Sequence, residues 1–119
     1  MKVGVVGSRS ICLKNIEKYI PSECDEIVSG GAIGVDNNAA EYAKTHGLPL
    51  TVFLPEYRKY GRGAPIVRNK SIVDRADIVI AFWDGCSRGT RFVIDYCKKT
   101  GKHCVVIKPT KDDVNNKQN

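Results

Sequence analysis

Three short segments of the chain combine glycine with hydroxyl and guanidinium side chains, which are the groups that bind phosphate. They are Gly7-Ser8-Arg9-Ser10, Ser29-Gly30-Gly31-Ala32-Ile33-Gly34-Val35-Asp36 and Asp84-Gly85-Cys86-Ser87-Arg88-Gly89-Thr90. Glycine lets backbone amides approach a ligand closely, and arginine offers a planar fork of donors that matches a phosphate. Each segment directly follows an apolar run. The pattern predicts three ligand-binding loops at strand ends.

The first segment predicts an anion site at the start of a helix. Gly7, Ser8 and Arg9 come between an apolar run and a segment of helical periodicity, and helix N-termini favour negative charge. Ser10 has two interpretations, a contact with the ligand or a cap on the helix. A cap does not require Arg9, so the arginine favours the anion site.

The second segment has the spacing G-G-x-x-G at Gly30, Gly31 and Gly34. This spacing is similar to a dinucleotide-binding fingerprint, but it follows the second apolar run rather than the first, and glycine spacing alone is a weak signal. One interpretation is a phosphate cradle of backbone amides that includes Ser29. The other is a tight turn in which Asp36 caps the next helix.

The third segment predicts a second anion nest, facing the first loop if the first and fourth strands are neighbours. Its candidate ligand-binding residues are Asp84, Gly85, Ser87, Arg88, Gly89 and Thr90. No histidine lies in these loops to activate Cys86 as a nucleophile, and the chain's two histidines and five cysteines do not have metal-ligand spacing. The spacing therefore predicts no catalytic Cys/His pair and no metal site. Asp36 and Asp84 are possible acids near the crevice but are more easily explained as caps, so we assign no catalytic residue and no cofactor.

Four further residues are candidates for the same crevice. Arg68 and Asn69 could face it from the third connection, although spacing alone favours a solvated position on a helix for Arg68. Tyr60 and Trp83 could stack on a nucleobase. For Trp83, packing at the end of a strand is an equally good interpretation.

The elements that must position these loops alternate between strand-length apolar runs and segments of helical periodicity. Strands are predicted at 2–6, 26–29, 50–54, 77–82 and 104–107, and helices at 11–20, 36–46, 66–74 and 90–100, with a long loop at 55–65. Nearly all-apolar strands are typical of a parallel sheet covered on both faces. The fold class is therefore α/β, with a central, mainly parallel sheet of about five strands.

Length and composition indicate one domain. The chain has 119 residues with 42% apolar content, and its net charge of +6 favours anionic partners. We expect a single domain over 1–108 and a disordered tail over 109–119, which offers one apolar side chain. No apolar run approaches the roughly 18 residues of a membrane span, and the N-terminus reads as a strand rather than an export signal. These features predict a cytoplasmic protein without a membrane partner.

The ordered set of motifs resembles the SLOG superfamily of Rossmann-like nucleotide-binding proteins over residues 2 to about 107. The matching motifs are Gly7-Ser8-Arg9, Val28-Ser29-Gly30-Gly31-Ala32 with Gly34 and Asp36, Tyr60-Gly61-Arg62, Arg68-Asn69, and Ala76-Asp77 through Ile80-Ala81-Phe82-Trp83-Asp84-Gly85 to Ser87 and Gly89-Thr90. Within it the chain is most similar to a small family of unassigned function, close to the YspA and YpsA-like proteins. A more distant similarity is to the Rossmann core of DNA-processing protein A (DprA/Smf).

This resemblance implies a three-layer α/β/α domain that holds a nucleotide or nucleotide-derived ligand, as a sensor, carrier or sequestering module. The similarity to DNA-processing protein A implies an alternative partner, single-stranded DNA or RNA. A groove that binds such a strand would require self-association of the chain, and whether the chain is a homo-oligomer stays open. The LOG phosphoribohydrolases imply a third alternative, hydrolysis of a nucleoside monophosphate. In those enzymes a glutamate that takes part in cleaving the N-glycosidic bond follows a Gly-Thr pair in the glycine-rich motif. Here Gly89-Thr90 is followed by Arg91, Phe92, Val93 and Ile94, so that glutamate is absent.

Overall fold

The computed structural model describes residues 1–114, in which five strands and four helices alternate. The strands are β1 (Lys2–Gly7), β2 (Glu26–Ser29), β3 (Leu50–Val52), β4 (Ile78–Phe82) and β5 (Cys104–Ile107). The helices are α1 (Val35–Thr45), α2 (Tyr57–Tyr60), α3 (Ala64–Arg75) and α4 (Arg88–Thr100), with 3-10 turns at Ile16–Tyr19 and Gly61–Gly63. No helix within this part of the chain combines the length and the apolar character that a bilayer crossing requires.

All five strands form one parallel sheet in the order β3-β2-β1-β4-β5. The chain builds outward from β1 to β3 and then returns to the other side of β1, so the strand order reverses between β1 and β4. This confirms the predicted Rossmann-like three-layer α/β/α fold. The first and fourth strands are neighbours, which is the condition for the first and third loops to face each other. Crevices that bind ligands form at such a reversal, outside the carboxyl ends of the strands.

Two apolar cores follow from the alternation of side chains along the strands. On one face of the sheet, Val5 and Phe82 are fully buried in a cluster that includes Ala39 of α1. On the other face, Val79 and Ala81 are fully buried with residues of α3 and α4, such as Val73 and Val93. Helices on both faces make β1 and β4 the rigid centre of the molecule.

The helix predicted at 11–20 is wrong over most of its length, because only the 3-10 turn at Ile16–Tyr19 forms. The amide of Leu13 donates to Asn38 Oδ1 at 2.8 Å, and the amide of Lys14 donates to the Asp113 carbonyl at 2.9 Å. These bonds replace helical ones. Ile11 and Leu13 are both buried, and a spacing of two residues points to one side only in an extended chain.

The tail also differs from prediction. A turn at 111–113 leads to Val114, which forms an isolated antiparallel bridge with Leu13. Asp113 accepts hydrogen bonds from the Thr110 amide at 2.8 Å and from the Tyr19 hydroxyl at 2.7 Å. Polar contacts at Asp113 and the packing of Val114 against the core together hold this turn. The rest of the predicted disordered tail, 115–119, lies outside the described residues.

Candidate functional site

A cleft of about 190 Å3 opens at the carboxyl edge of the sheet, beside the point where the strand order reverses. It is lined by Val6, Gly7, Arg9, Gly30, Ala32, Asp36, Pro65, Arg68, Asn69, Ile72, Ser87, Gly89, Thr90 and Val93. All three glycine-containing loops contribute, and α3 adds a fourth wall. The cleft thus brings together residues from distant parts of the chain.

Two glycines make room for this arrangement. A Cβ atom added at Gly7 would lie 2.5 Å from Val35 Cγ2, and one added at Gly30 would lie 2.6 Å from Arg68 Nη1. At both positions a side chain would force the neighbouring group to move. Gly7 therefore allows α1 to pack against the end of β1, and Gly30 allows the Arg68 guanidinium to lie against the backbone of the second loop.

Arg68 is held in a fixed position on the cleft wall. Its Nη1 donates to the Gly30 carbonyl at 2.7 Å, and its Nε donates to Asn69 Oδ1 at 2.8 Å. The side chain is half-buried, so the solvated helix position considered from the sequence is not the one it occupies. Arg9 lies on the same cleft but is exposed.

Asp36 is the buried acid of the cleft, with 9% of its surface exposed. Burial raises the pKa of its carboxyl group, against the opposing effects of the Ala32 amide, the Arg68 charge and the Gly30 amide. The Ala32 amide donates to Asp36 Oδ2 at 2.9 Å. Asp36 does not cap α1, because the capping position is Gly34, whose φ is 77°.

The first turn of α4 is open to the cleft. Ser87 precedes the helix, and its Oγ lies 3.4 Å from Thr90 Oγ1. Among the described residues, the amides of Gly89 and Thr90 have no hydrogen-bond acceptor. A Cβ at Gly89 would meet no atom within 4 Å. Free amides and hydroxyls at a helix N-terminus form a surface that accepts anions.

The rest of the third loop is occupied by one of its own carboxylates. Asp84 Oδ1 accepts the amides of Cys86 at 2.8 Å and Ser87 at 2.7 Å. These bonds hold the pKa of Asp84 below its usual range. Ser10 donates its hydroxyl to Asp84 Oδ2 at 3.1 Å. No helix begins at Ser10, so the predicted helix start beside the first loop is wrong.

Seven predicted ligand-binding residues do not line the cleft: Ser8, Ser29, Gly31, Gly34, Asp84, Gly85 and Arg88. Ser8 and Ser29 are almost completely buried. The Ser8 amide donates to the Phe82 carbonyl at 3.1 Å and so joins the ends of β1 and β4. The three glycines have positive φ, 71°, 77° and 87° in chain order, and shape the loops. Arg88 is exposed.

The two aromatic candidates also lie outside the cleft lining. Trp83 Nε1 donates to the Ser87 carbonyl at 3.0 Å, so the indole fixes the residue that precedes α4. Tyr60 is exposed on α2, and Lys59 Nζ lies 5.2 Å from the centre of its ring. Stacking of either ring on a base stays a prediction.

Sequence reasoning missed the apolar part of the lining. Val6 ends the first apolar run, and Ile72 and Val93 belong to the apolar faces of α3 and α4. The available signals were the position of Val6 directly before Gly7 and that of Val93 in the first turns after Gly89. Within residues 1–114, no three His, Cys, Asp or Glu side chains are grouped as a metal site would require.

Comparison of the chain with protein-family models, with curated proteins and with solved structures finds no match. The similarity to the SLOG superfamily therefore stays a prediction based on the motifs.

Proposed function

We propose that the protein binds a nucleotide or a nucleotide-derived ligand and holds its phosphate in the cleft. One observation carries the proposal: a fixed guanidinium, a second exposed arginine, two hydroxyls and the open first turn of α4 line a single cleft. Each of these groups donates hydrogen bonds to anionic oxygen.

The charge balance of the cleft supports an anionic ligand. Arg9 and Arg68 carry two positive charges, and the N-terminus of the 13-residue helix α4 adds a partial positive charge. Asp36 is the acidic residue of the lining. The cleft therefore keeps a net positive potential in which a phosphate is favoured.

The volume of the cleft indicates which part of the ligand lies inside. Pockets that enclose a whole drug-sized ligand measure about 300–1,000 Å3, whereas this cleft measures about 190 Å3. It accommodates a phosphate with the atoms next to it. The remainder of a nucleotide would lie toward solvent, near the exposed residues of the second loop.

A second candidate function is binding of single-stranded DNA or RNA. It is favoured by α2, where Tyr57 and Tyr60 are exposed with Arg58 and Lys59 between them, just before α3. Exposed aromatic rings and cations together bind nucleic acid by stacking and phosphate contact. This function predicts affinity that falls steeply with salt and grows with oligonucleotide length.

The first experiment is thermal unfolding with nucleoside mono-, di- and triphosphates, ADP-ribose, NAD, cyclic dinucleotides and one long single-stranded oligonucleotide. A ligand at 100 times its dissociation constant stabilises the fold by about 2.7 kcal/mol, which raises the midpoint by about 10 °C in a domain of this size. A shift with a small nucleotide supports the proposal. A salt-sensitive shift with the oligonucleotide alone would favour the second candidate, and no shift would contradict both.

The placement of the phosphate is tested by Gly89→Leu. Because a Cβ at this position meets no protein atom within 4 Å, the variant should fold, but its side chain should cover the first turn of α4 and weaken binding at least tenfold. Gly63→Leu is the matched control, since its Cβ also meets no atom and Gly63 does not line the cleft. Unchanged affinity in folded Gly89→Leu would place the phosphate elsewhere.

A further inference from the structure

Asp36 is a buried carboxylate in a cleft whose other polar groups suit an anion, and the proposed function leaves its role open. Its side chain lines the cleft while 9% of the residue is exposed. A carboxylate in this position opposes the binding of negative charge close to it. A ligand group that donates a hydrogen bond would instead be favoured by this carboxylate.

The second loop holds both Arg68 and Asp36. The Gly30 carbonyl accepts a hydrogen bond from Arg68 Nη1 at 2.7 Å, and the Asp36 carboxylate accepts the Ala32 amide, two residues further along the same loop, at 2.9 Å. The guanidinium and the carboxylate therefore line the same part of the cleft. The cleft presents a donor and an acceptor next to each other, in addition to the open first turn of α4.

A donor beside an acceptor matches a ligand group that can both accept and donate. A sugar hydroxyl does both, because its oxygen accepts from a guanidinium while its hydrogen is donated to a carboxylate. A second phosphate brings further negative charge, which the Asp36 carboxylate would repel.

Resting on the proposed function, we propose that the cleft selects ligands that bring one phosphate monoester together with a sugar hydroxyl, and that Asp36 is the specificity-determining residue. The phosphate lies at the first turn of α4, near Ser87 and Thr90. The hydroxyl lies between Arg68 and Asp36. Ligands that place two linked phosphates in the cleft are disfavoured by the Asp36 carboxylate.

A purely structural role for Asp36 makes a different prediction. Asp36 Oδ2 accepts the Ala32 amide at 2.9 Å, which shapes the second loop. The side-chain oxygen of asparagine can accept the same bond. Asp36→Asn therefore keeps the loop contact and removes the charge, so a change in ligand preference reports on the carboxylate itself.

The test measures the affinities of inorganic phosphate, ribose 5-phosphate and pyrophosphate by calorimetry, for the unaltered protein and for Asp36→Asn. The unaltered protein should bind ribose 5-phosphate more tightly than pyrophosphate. In Asp36→Asn this preference should fall about tenfold, because the hydroxyl loses a charge-assisted bond and pyrophosphate is no longer repelled. Inorganic phosphate has no sugar hydroxyl, so its affinity reports on the phosphate site alone.

Asp95→Asn is the matched control, because Asp95 is exposed on α4, pairs with Arg91 and does not line the cleft. It removes the same net charge and should leave the preference unchanged. An unchanged preference in folded Asp36→Asn would overturn this inference and leave the proposed function standing. If the unaltered protein binds none of the three probes and no nucleotide, both are overturned.

Discussion

Gly7 and Gly30 show how two glycines with the same steric constraint can serve different purposes. An added Cβ at Gly7 would collide with Val35, which is fully buried in the core. An added Cβ at Gly30 would collide with the end of the Arg68 side chain, which is half-buried at the cleft. A buried neighbour cannot move away, whereas a long side chain at a cleft can.

The two alanine variants should therefore fail in different ways. Gly7→Ala should lower the free energy of unfolding by about 1–3 kcal/mol, because α1 must shift away from the sheet. Gly30→Ala should cost less stability but displace the Arg68 guanidinium and weaken phosphate binding. Chemical denaturation and ligand titration of both variants measure the two effects. Equal losses of stability would contradict the distinction.

At the residue scale, the sequence predicted which residue types lie near the cleft. It did not predict which of them are available to a ligand and which are bonded to the protein itself. Asp84 was a candidate for ligand binding, yet it accepts two amides of its own loop. Arg68 and Arg88 were both candidates, and only Arg68 lines the cleft. Spacing along the chain does not reveal whether a polar group is already satisfied by a protein partner, and that fact decides whether it is available to a ligand.

At the scale of elements, the segment 11–20 shows the limit of local periodicity. Ile16 and Ile20 have helical spacing, but Ile11 and Leu13 are buried together in an extended stretch. The amides of this stretch bond to Asn38 and Asp113, which lie far away in sequence. Six of the other predicted helices and strands differ from the structure only at their ends, and the strands predicted at 26–29 and 104–107 match it.

Asp113→Asn tests how much the C-terminal turn stabilises the fold. Hydrogen bonds from the Thr110 amide and the Tyr19 hydroxyl hold the pKa of Asp113 well below its usual range. Since the folded pKa is lower than the unfolded one, the stabilisation is present above an unfolded pKa of about 3.9 and is lost as the pH falls through the lower folded value.

The variant should therefore unfold a few degrees below the unaltered protein at pH 7. This difference should shrink as the pH is lowered below about 4, because Asp113 then takes up a proton in the unfolded chain while it stays ionised in the folded one. Thermal unfolding followed by circular dichroism across this range measures it. Asp112→Asn, on the exposed neighbouring residue, is the control. A difference that stays constant with pH would contradict the role of the charge.

At the scale of the whole molecule, strand order decides where the site lies. Five apolar runs predicted the strands, and a parallel sheet predicted that their carboxyl ends share one edge. The reversal between β1 and β4 follows from topology rather than from any motif. General rules of sheet topology were enough to place the loops together, but the cleft wall from α3 depended on how that helix packs.

Hydrogen exchange should follow the position of each strand in the sheet. β4 is buried along its whole length and has a neighbour on each side, whereas β3 lies at the edge with Leu50 and Val52 exposed. Amides of β1 and β4 should exchange slowest, at rates set by global unfolding, and those of β3 markedly faster. Mass spectrometry of deuterated peptides measures this. Equal protection of β3 and β4 would contradict the assignment of a rigid centre.

The cleft draws its lining from two stretches of chain, residues 6–36 and residues 65–93, separated by a long connection. A bound ligand therefore contacts an early and a late part of the polypeptide at once and holds them together without a covalent bond. During synthesis the binding site is complete only after α4 has been made. A protein nicked within 55–63 should hold its halves together more firmly when ligand is present, because binding favours the assembled state by mass action.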